Sequence, residues 1–407
     1  CPQVANVAVM AQNVSVGSSI GAKTLKQSLQ TSTNFETASG KRQEVKENNI
    51  EDSYDITYGD SITFFVSKTK IPDQDQTDNS GNEDDQKQDD GQKDSETDVI
   101  PDYEVPDTIN GFSFNKEETD DGYQLTFTAN EAMRSAAIKI KGQDVVLKTK
   151  KRKLTAKASV KNKVYDGTTN AEYESSPSIQ NVLDSDENQF YFRYKNPTFE
   201  KKNVGEQQVS PISINLSSDN YEIDDISGLK ATIEQKEITT STIKIKSKVY
   251  DGTITAEYAN KVTLLGVISG DDVQLNVPTP SYDTKNVGTD KKIVFDGDFS
   301  IEGTDSANYR LKEISEVTGT IEKAKLVYRA KDQTRKYGEA NPKLTYEVKG
   351  FVAGDQQSDF NDPTLTLDVP KLTSLGKHEG VIKISGVNLP EYYDVTYESG
   401  DLYVEAN

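Results

Sequence analysis

Between residues 54 and 66 apolar side chains fall on every second position: Tyr54, Ile56 and Tyr58 precede a Gly59-Asp60 pair, and Ile62, Phe64 and Val66 follow it. A period of two puts one set of side chains on one face of extended chain, and Gly-Asp supplies a turn, so two strands are predicted here. The pattern resumes at Gly111-Phe112-Ser113-Phe114, continues through Tyr123-Gln124-Leu125-Thr126-Phe127, and returns at Ala137-Ile138-Lys139-Ile140 and Val145-Val146-Leu147. Residues 12–49 are rich in Ser, Thr, Gln, Asn and Lys without either periodicity, which reads as a flexible leader with at most a short helix. In residues 71–98 nearly every side chain is polar or acidic, too little apolar area to offset ordering entropy. The expectation is a leader or signal remnant over 1–49, then a small β domain over 50–153 interrupted by a disordered acidic segment over 71–105. Residues 50–70 and 111–147 read equally as one domain or as two fragments, because Tyr54-Asp55-Ile56-Thr57-Tyr58 resembles Tyr393-Asp394-Val395-Thr396-Tyr397.

Beyond residue 153 the strand pattern is organised by repetition. Lys163-Val164-Tyr165-Asp166-Gly167-Thr168 returns about 85 residues later as Lys248-Val249-Tyr250-Asp251-Gly252-Thr253, a period that marks repeated modules. Further landmarks keep their order: Lys202-Asn203-Val204-Gly205 with Lys285-Asn286-Val287-Gly288, Asn220-Tyr221 with Asn308-Tyr309, and Thr232-Ile233-Glu234 with Thr320-Ile321-Glu322. Gly266-Val267-Ile268-Ser269-Gly270-Asp271 is echoed by Gly350-Phe351-Val352-Ala353-Gly354-Asp355. The modules are predicted at 154–237, 238–323 and 324–407. No Gly/Ser or Pro-rich tract separates them, which predicts little slack and a monomeric, elongated chain. Tyr-Asp-Gly reads as a turn, with Gly accepting positive φ, Asp bonding nearby N–H groups, and Tyr laying its ring over the core with the hydroxyl outward.

Composition narrows the fold to thin, well-solvated β modules: hydrophobic residues are 33%, charged residues 28%, and 20 Tyr and 13 Phe stand beside no Trp. A net charge of -20 argues against nucleic acid and against electrostatic binding to an anionic membrane. No stretch approaches the roughly 18 to 20 apolar residues of a membrane span. The one Cys is Cys1, so no intrachain disulfide forms. Residues 1–11 are small and apolar, and Val9-Met10-Ala11 reads as the cleavage end of a secretory signal peptide. Cys1 as the lipid-bearing first residue of a lipoprotein is a second reading, and an arbitrary boundary a third. The first two place the protein outside the cytoplasm.

Residues about 160–325 resemble two copies of the YDG domain of bacterial surface proteins, through Lys-Val-Tyr-Asp-Gly-Thr, Gly-Val-Ile-Ser-Gly-Asp, Lys-Asn-Val-Gly-Thr and Ala-Asn-Tyr-Arg-Leu, which the second copy carries in full. The first copy departs from this, with Asn181-Val182-Leu183-Asp184-Ser185-Asp186 in place of the double-Gly segment. Residues about 326–405 resemble the MBG domain of the Tyr-Gly type, through Arg335-Lys336-Tyr337-Gly338-Glu339-Ala340-Asn341-Pro342 and the ending Tyr393-Asp394-Val395-Thr396, Gly400-Asp401-Leu402. The resemblance implies tandem all-β modules, sandwich-like and either Ig-like or β-grasp-like, in a bacterial cell-surface adhesin. It implies a host or environmental glycan or protein as ligand.

Catalytic chemistry finds little support. The only His, His378, lies in Gly376-Lys377-His378-Glu379-Gly380, which reads as a turn, and a triad or zinc site needs His placed with partners. No phosphate-binding glycine loop is present, and Asp84, Asp85, Asp89 and Asp90 lack the spacing of a calcium loop. No catalytic, cofactor or metal residue is assigned, and no binding residue is identified. The expected function is a non-enzymatic, secreted or cell-surface adhesin stalk or binding region; the alternative is an accessory, non-catalytic region of a large secreted polysaccharide- or protein-degrading enzyme.

Overall fold

In the computed structural model the alternating stretches become strands, and residues 28–68 and 101–407 are described. Among them the protein is all-β, with strands joined by turns and single-turn 3-10 segments. The signal remnant and the lipid-bearing Cys1 expected at the start of the chain, and most of the segment expected to be disordered over 71–105, lie outside the described residues. Two compact units are distinguished: one holds the described residues up to Asn162 with Thr169–Lys201 and Glu206–Thr232; the other holds Lys163–Thr168, Lys202–Gly205 and Ile233–Asn407.

The first unit opens with a sandwich. One sheet runs Ser53–Thr57, Gln143–Lys150, Ser135–Ile140, Tyr103–Glu104; the other runs Arg42–Lys46, Ser61–Ser67, Gly122–Ala129, Phe112–Thr119. Period-two alternation turns Ile62, Phe64, Leu125 and Phe127 inward from one sheet and Ile140, Val145 and Leu147 from the other, all with no measurable exposure. Each such side chain contributes about 1.5–3 kcal/mol by leaving water. The segments on either side of the acidic stretch therefore share one core. A second core in this unit gathers Leu154, Ile179, Val182, Leu183, Phe190, Phe192 and Tyr221, with Tyr58 and Ala132 packed into it.

Two expectations need correction. Residues within the supposed leader form strands Gln30–Ser32, Phe35–Ala38 and Arg42–Lys46. Phe35–Ala38 pairs in parallel with part of Tyr173–Leu183, and Arg42–Lys46 with part of Ser61–Ser67. All three lie at sheet edges, where the neighbour's backbone supplies the hydrogen bonds and few side chains need burial, so no apolar period is written into them. Tyr103–Glu104, inside the interval read as disordered to 105, is likewise an edge strand on Ser135–Ile140.

In the second unit one core centres on Tyr250, Ala256, Tyr282, Ile293 and Ile321, another on Ala324, Leu326, Tyr328, Ala330, Ile382, Ile384 and Tyr393. Only Lys323 separates strand Thr318–Glu322 from strand Ala324–Ala330. One arrangement occurs three times here. Lys163-Val164 runs parallel to Ile233-Glu234, Lys248-Val249 to Ile321-Glu322, and Arg335-Lys336 to Val404-Glu405. The next N–H, that of Tyr165, Tyr250 or Tyr337, then bonds the Glu234, Glu322 or Glu405 carbonyl at 2.8, 2.9 and 2.9 Å.

Candidate functional site: tyrosine–carboxylate seats

The repeated hexapeptide is closed by its own side chains. Lys163 Nζ donates to Asp166 Oδ1 at 2.7 Å and to the Thr168 carbonyl at 2.9 Å, and the Thr168 N–H donates to Asp166 Oδ1 at 2.9 Å. Lys248, Asp251 and Thr253 repeat these contacts at 2.8, 2.9 and 2.9 Å. Gly167 and Gly252 both sit at φ +78°, where an L side chain is strained. The bond from Lys248, followed by those from Thr253, holds the Asp251 carboxyl down at about 2. This part of the expectation, a locked turn, describes the structure.

The tyrosine does something other than expected. Tyr165 is 1% exposed, and its hydroxyl, instead of pointing to solvent, donates to Asp271 Oδ2 at 2.9 Å. Tyr309 donates to the same oxygen at 2.5 Å while accepting the Ile268 N–H at 3.1 Å. The two rings meet edge to face, 5.4 Å apart. A carboxylate oxygen has lone pairs for two donors, and a charged acceptor strengthens both bonds. Burial, then the bond to Asp271, pushes the Tyr309 phenol up to about 12, and the same causes push Tyr165 up further. Burial opposes ionisation of Asp271, but the two hydroxyls and Lys202, 3.7 Å away, hold its carboxyl below the usual range.

The same seat is built twice more. In the first unit Tyr58 and Tyr221 donate to Asp186 Oδ2 at 3.0 and 2.5 Å, the rings again 5.4 Å apart and edge to face, with the Leu183 N–H on the Tyr221 hydroxyl at 3.1 Å. In the second unit Tyr393 donates to Asp355 Oδ2 at 2.7 Å and accepts the Val352 N–H at 3.1 Å. There Tyr392, at 2.9 Å, gives the second hydroxyl, and Tyr250 stacks on the Tyr392 ring at 4.1 Å.

The residue before each seat tyrosine explains that difference. Asn220 Oδ1 accepts the Ala132 N–H at 2.9 Å and Asn308 Oδ1 the Val204 N–H at 3.0 Å. Position 392 holds Tyr where these hold Asn; its hydroxyl takes the place on the carboxylate that Tyr58 and Tyr165 fill in the other seats, and its ring is the face on which Tyr250 stacks. Residues 181–186, which depart from the double-Gly segment in sequence, differ in local loop as well, yet keep the seat. Asn181 adopts φ +78°, in the place of Gly266 at +95° and Gly350 at +110°, because Asn tolerates the left-handed region, and Asp186 is left in register to accept. Only the middle of the loop differs, as a 3-10 turn over Asp184–Asp186.

Family models agree with these landmarks: that of the YDG domain matches residues 149–228 and 234–317, and that of the MBG domain, YGX type, matches residues 326–403. The chain carries two YDG domains followed by an MBG domain. The family model thus assigns Tyr165 to the first YDG domain and Asp271 to the second, and Tyr250 and Tyr392 to the second YDG domain and the MBG domain. Among solved structures, the I9–I11 tandem from titin aligns with 72% of this chain and 100% of its own at 10% identity and a TM-score of 0.17, which carries no argument. No curated protein matches.

The remaining candidates are isolated. His378 of the MBG domain lies inside strand Gly376–Ser385, not in a turn, with Nε2 2.8 Å from the Ser374 carbonyl. The surrounding glycines serve a register shift between His378 and Ile382, where Gly380 takes φ +60° and donates to Asp401 at 2.7 Å. Among the described residues no group of three or more His, Cys, Asp or Glu is placed to hold a metal, and no helix is long and apolar enough to cross a membrane. The second YDG domain has a surface depression of about 600 Å³ beside Phe295 and Phe299, rimmed by Lys292, Glu313 and Glu316.

Proposed function

We propose that this chain is a non-enzymatic, secreted or cell-surface bacterial repeat protein, an adhesin region whose domains are held in sequence to present a binding face to a glycan or protein. The observation that carries this reading is the threefold seat. The seat tyrosines and their partly buried carboxylates are engaged with one another as joints, which supports a structural role for them. Tandem YDG and MBG domains support the surface assignment. Presenting the purified chain to arrays of glycans and extracellular-matrix proteins tests adhesion. Saturable binding, lost when module order is scrambled, is expected; signal no higher than the scrambled control would refute it.

A further inference from the structure

Three of four equivalent turn tyrosines are covered, and the fourth is open. Tyr58, Tyr165 and Tyr250 are 8%, 1% and 6% exposed, whereas Tyr337 of the MBG domain is 39% exposed. The equivalence is fixed by backbone: Tyr337 follows the same parallel pairing and makes the same bond to the closing Glu carbonyl as Tyr165 and Tyr250. The next glycine tells the same story. Gly59, Gly167, Gly252 and Gly338 have φ of +81°, +78°, +78° and +77°. A Cβ would stand 2.2 Å from Leu183 at Gly59, 3.5 Å from Ile268 at Gly167 and 3.0 Å from Ala353 at Gly252, each on the loop ending in a seat aspartate, but at Gly338 it would meet nothing within 4 Å.

A second joint position is open beside it. Leu375-Gly376 stands where Val204-Gly205 and Val287-Gly288 stand in the YDG domains. The Val204 N–H is taken by Asn308 and Val287 packs into the core that includes Tyr392, whereas Leu375 is 56% and neighbouring Leu372 72% exposed. The surface is also fastened in place. Arg335, 4% exposed, donates to the carbonyls of Glu339, Lys371 and Pro370 at 3.0, 2.9 and 2.7 Å, and the Gly338 N–H to that of Lys371 at 3.2 Å. The loops carrying Tyr337 and Leu372 are thus preorganised, which lowers the entropy cost of docking.

We propose that Tyr337, Gly338, Leu372 and Leu375 form the donor half of a fourth seat, and that its occupant is a further YDG- or MBG-type module. That module would offer a loop ending in an aspartate three residues after the backbone N–H bound by its own strand tyrosine. A second copy of the described region does not meet this need, because its Asp186 and Asp271 already hold two hydroxyls each and its Asp355 loop is already covered by Tyr250, whereas an appended single module brings such a loop uncovered. The inference rests on joint geometry and holds whatever ligand the protein binds.

The test extends the full chain after Glu405 through one residue into a second copy of 324–407, reproducing the Glu322-Lys323-Ala324 connection, and reads hydrogen exchange. Amides of 337–338 and 372–375 in the first copy should slow about tenfold or more, a closed joint being a local opening unit. Tyr337→Ala should return 372–375 to fast exchange and leave Ala324–Ala330 protected. Protection of the appended copy's own Ala324–Ala330 reports that it is folded; if it is not, residues 234–323 are appended instead. Unchanged exchange at 337–338 beside a folded appended module overturns the proposal. So does equal protection of the unextended chain at high concentration, which would make a second copy the occupant.

Discussion

Removing the Asp271 carboxylate isolates what a seat contributes. Both phenols bond the same oxygen, Oδ2, at 2.9 and 2.5 Å, and the side chain is only 7% exposed, so solvent screens the interaction little. In Asp271→Ala the Tyr165 hydroxyl loses its acceptor; Tyr309 keeps the Ile268 N–H but has nowhere to donate. Two bonds to a charged acceptor at about 1.5–3 kcal/mol each, less what water recovers beside Lys202, amount to about 3 kcal/mol. Asp271→Asn keeps a carbonyl oxygen able to accept both hydroxyls and loses only the charge, about 1 kcal/mol. Because a multidomain chain does not unfold in one step, the readout is native-state exchange at Ile268 and Tyr309. An opening cost lowered by 3 kcal/mol accelerates exchange about a hundredfold, against about fivefold for Asn. Strand Ala324–Ala330, in a different core, should be unaffected. Equal effects of Ala and Asn, or equal acceleration in that strand, would refute the seat as a local two-donor device.

Two further outcomes follow from the turns. Asp251 has its pKa lowered from 3.8 in the unfolded chain to about 2, so between those values the unfolded state binds more protons; its contribution is complete above pH 4 and lost as pH falls through about 2. Lys248→Met should move the Asp251 titration, followed by carboxyl NMR, up toward the ordinary value, and an unmoved titration would rule out the Lys248 bond as its main cause. Gly59→Ala and Gly338→Ala both incur the left-handed penalty of about 1–2 kcal/mol, but only at Gly59 does the new Cβ run into Leu183. Thermal melting should show Gly59→Ala as clearly the more damaging, and equal losses would deny that Leu183 closes on that turn.

Much of the fold was legible because burial writes itself into alternation where a strand has a buried face. Ser61–Ser67 and Gly122–Ala129, with Phe64 opposite Leu125, are such strands. Gln30–Ser32 and Phe35–Ala38 were not legible, since an edge strand needs a neighbour's backbone more than an apolar period. The seats escaped for a different reason. Tyr165 and Asp271 are 106 residues apart and Tyr58 and Asp186 128, so no local spacing joins them. One signal was available: each seat aspartate precedes its strand tyrosine by 35 to 38 residues, as in Asp186 to Tyr221, Asp271 to Tyr309 and Asp355 to Tyr393. It was obscured in the first copy because Asn181 does the work of a glycine.

A thin core gains from burying a tyrosine against a carboxylate supplied about a hundred residues later, so the stability of one module includes a term contributed by its neighbour, as in other repeat proteins. That term is not the same at each seat. Asn308 answers a backbone N–H at Val204 and Asp271 answers the Tyr165 hydroxyl, so this seat fits a loop that presents both groups. Tyr392 has no amide to offer, and Asp355 is already filled by Tyr392 and Tyr393, so this seat fits a flat ring, which Tyr250 provides. The two joints therefore offer different chemistry to the same tyrosine of the same hexapeptide, a carboxylate oxygen beside an amide acceptor at one and an aromatic face at the other.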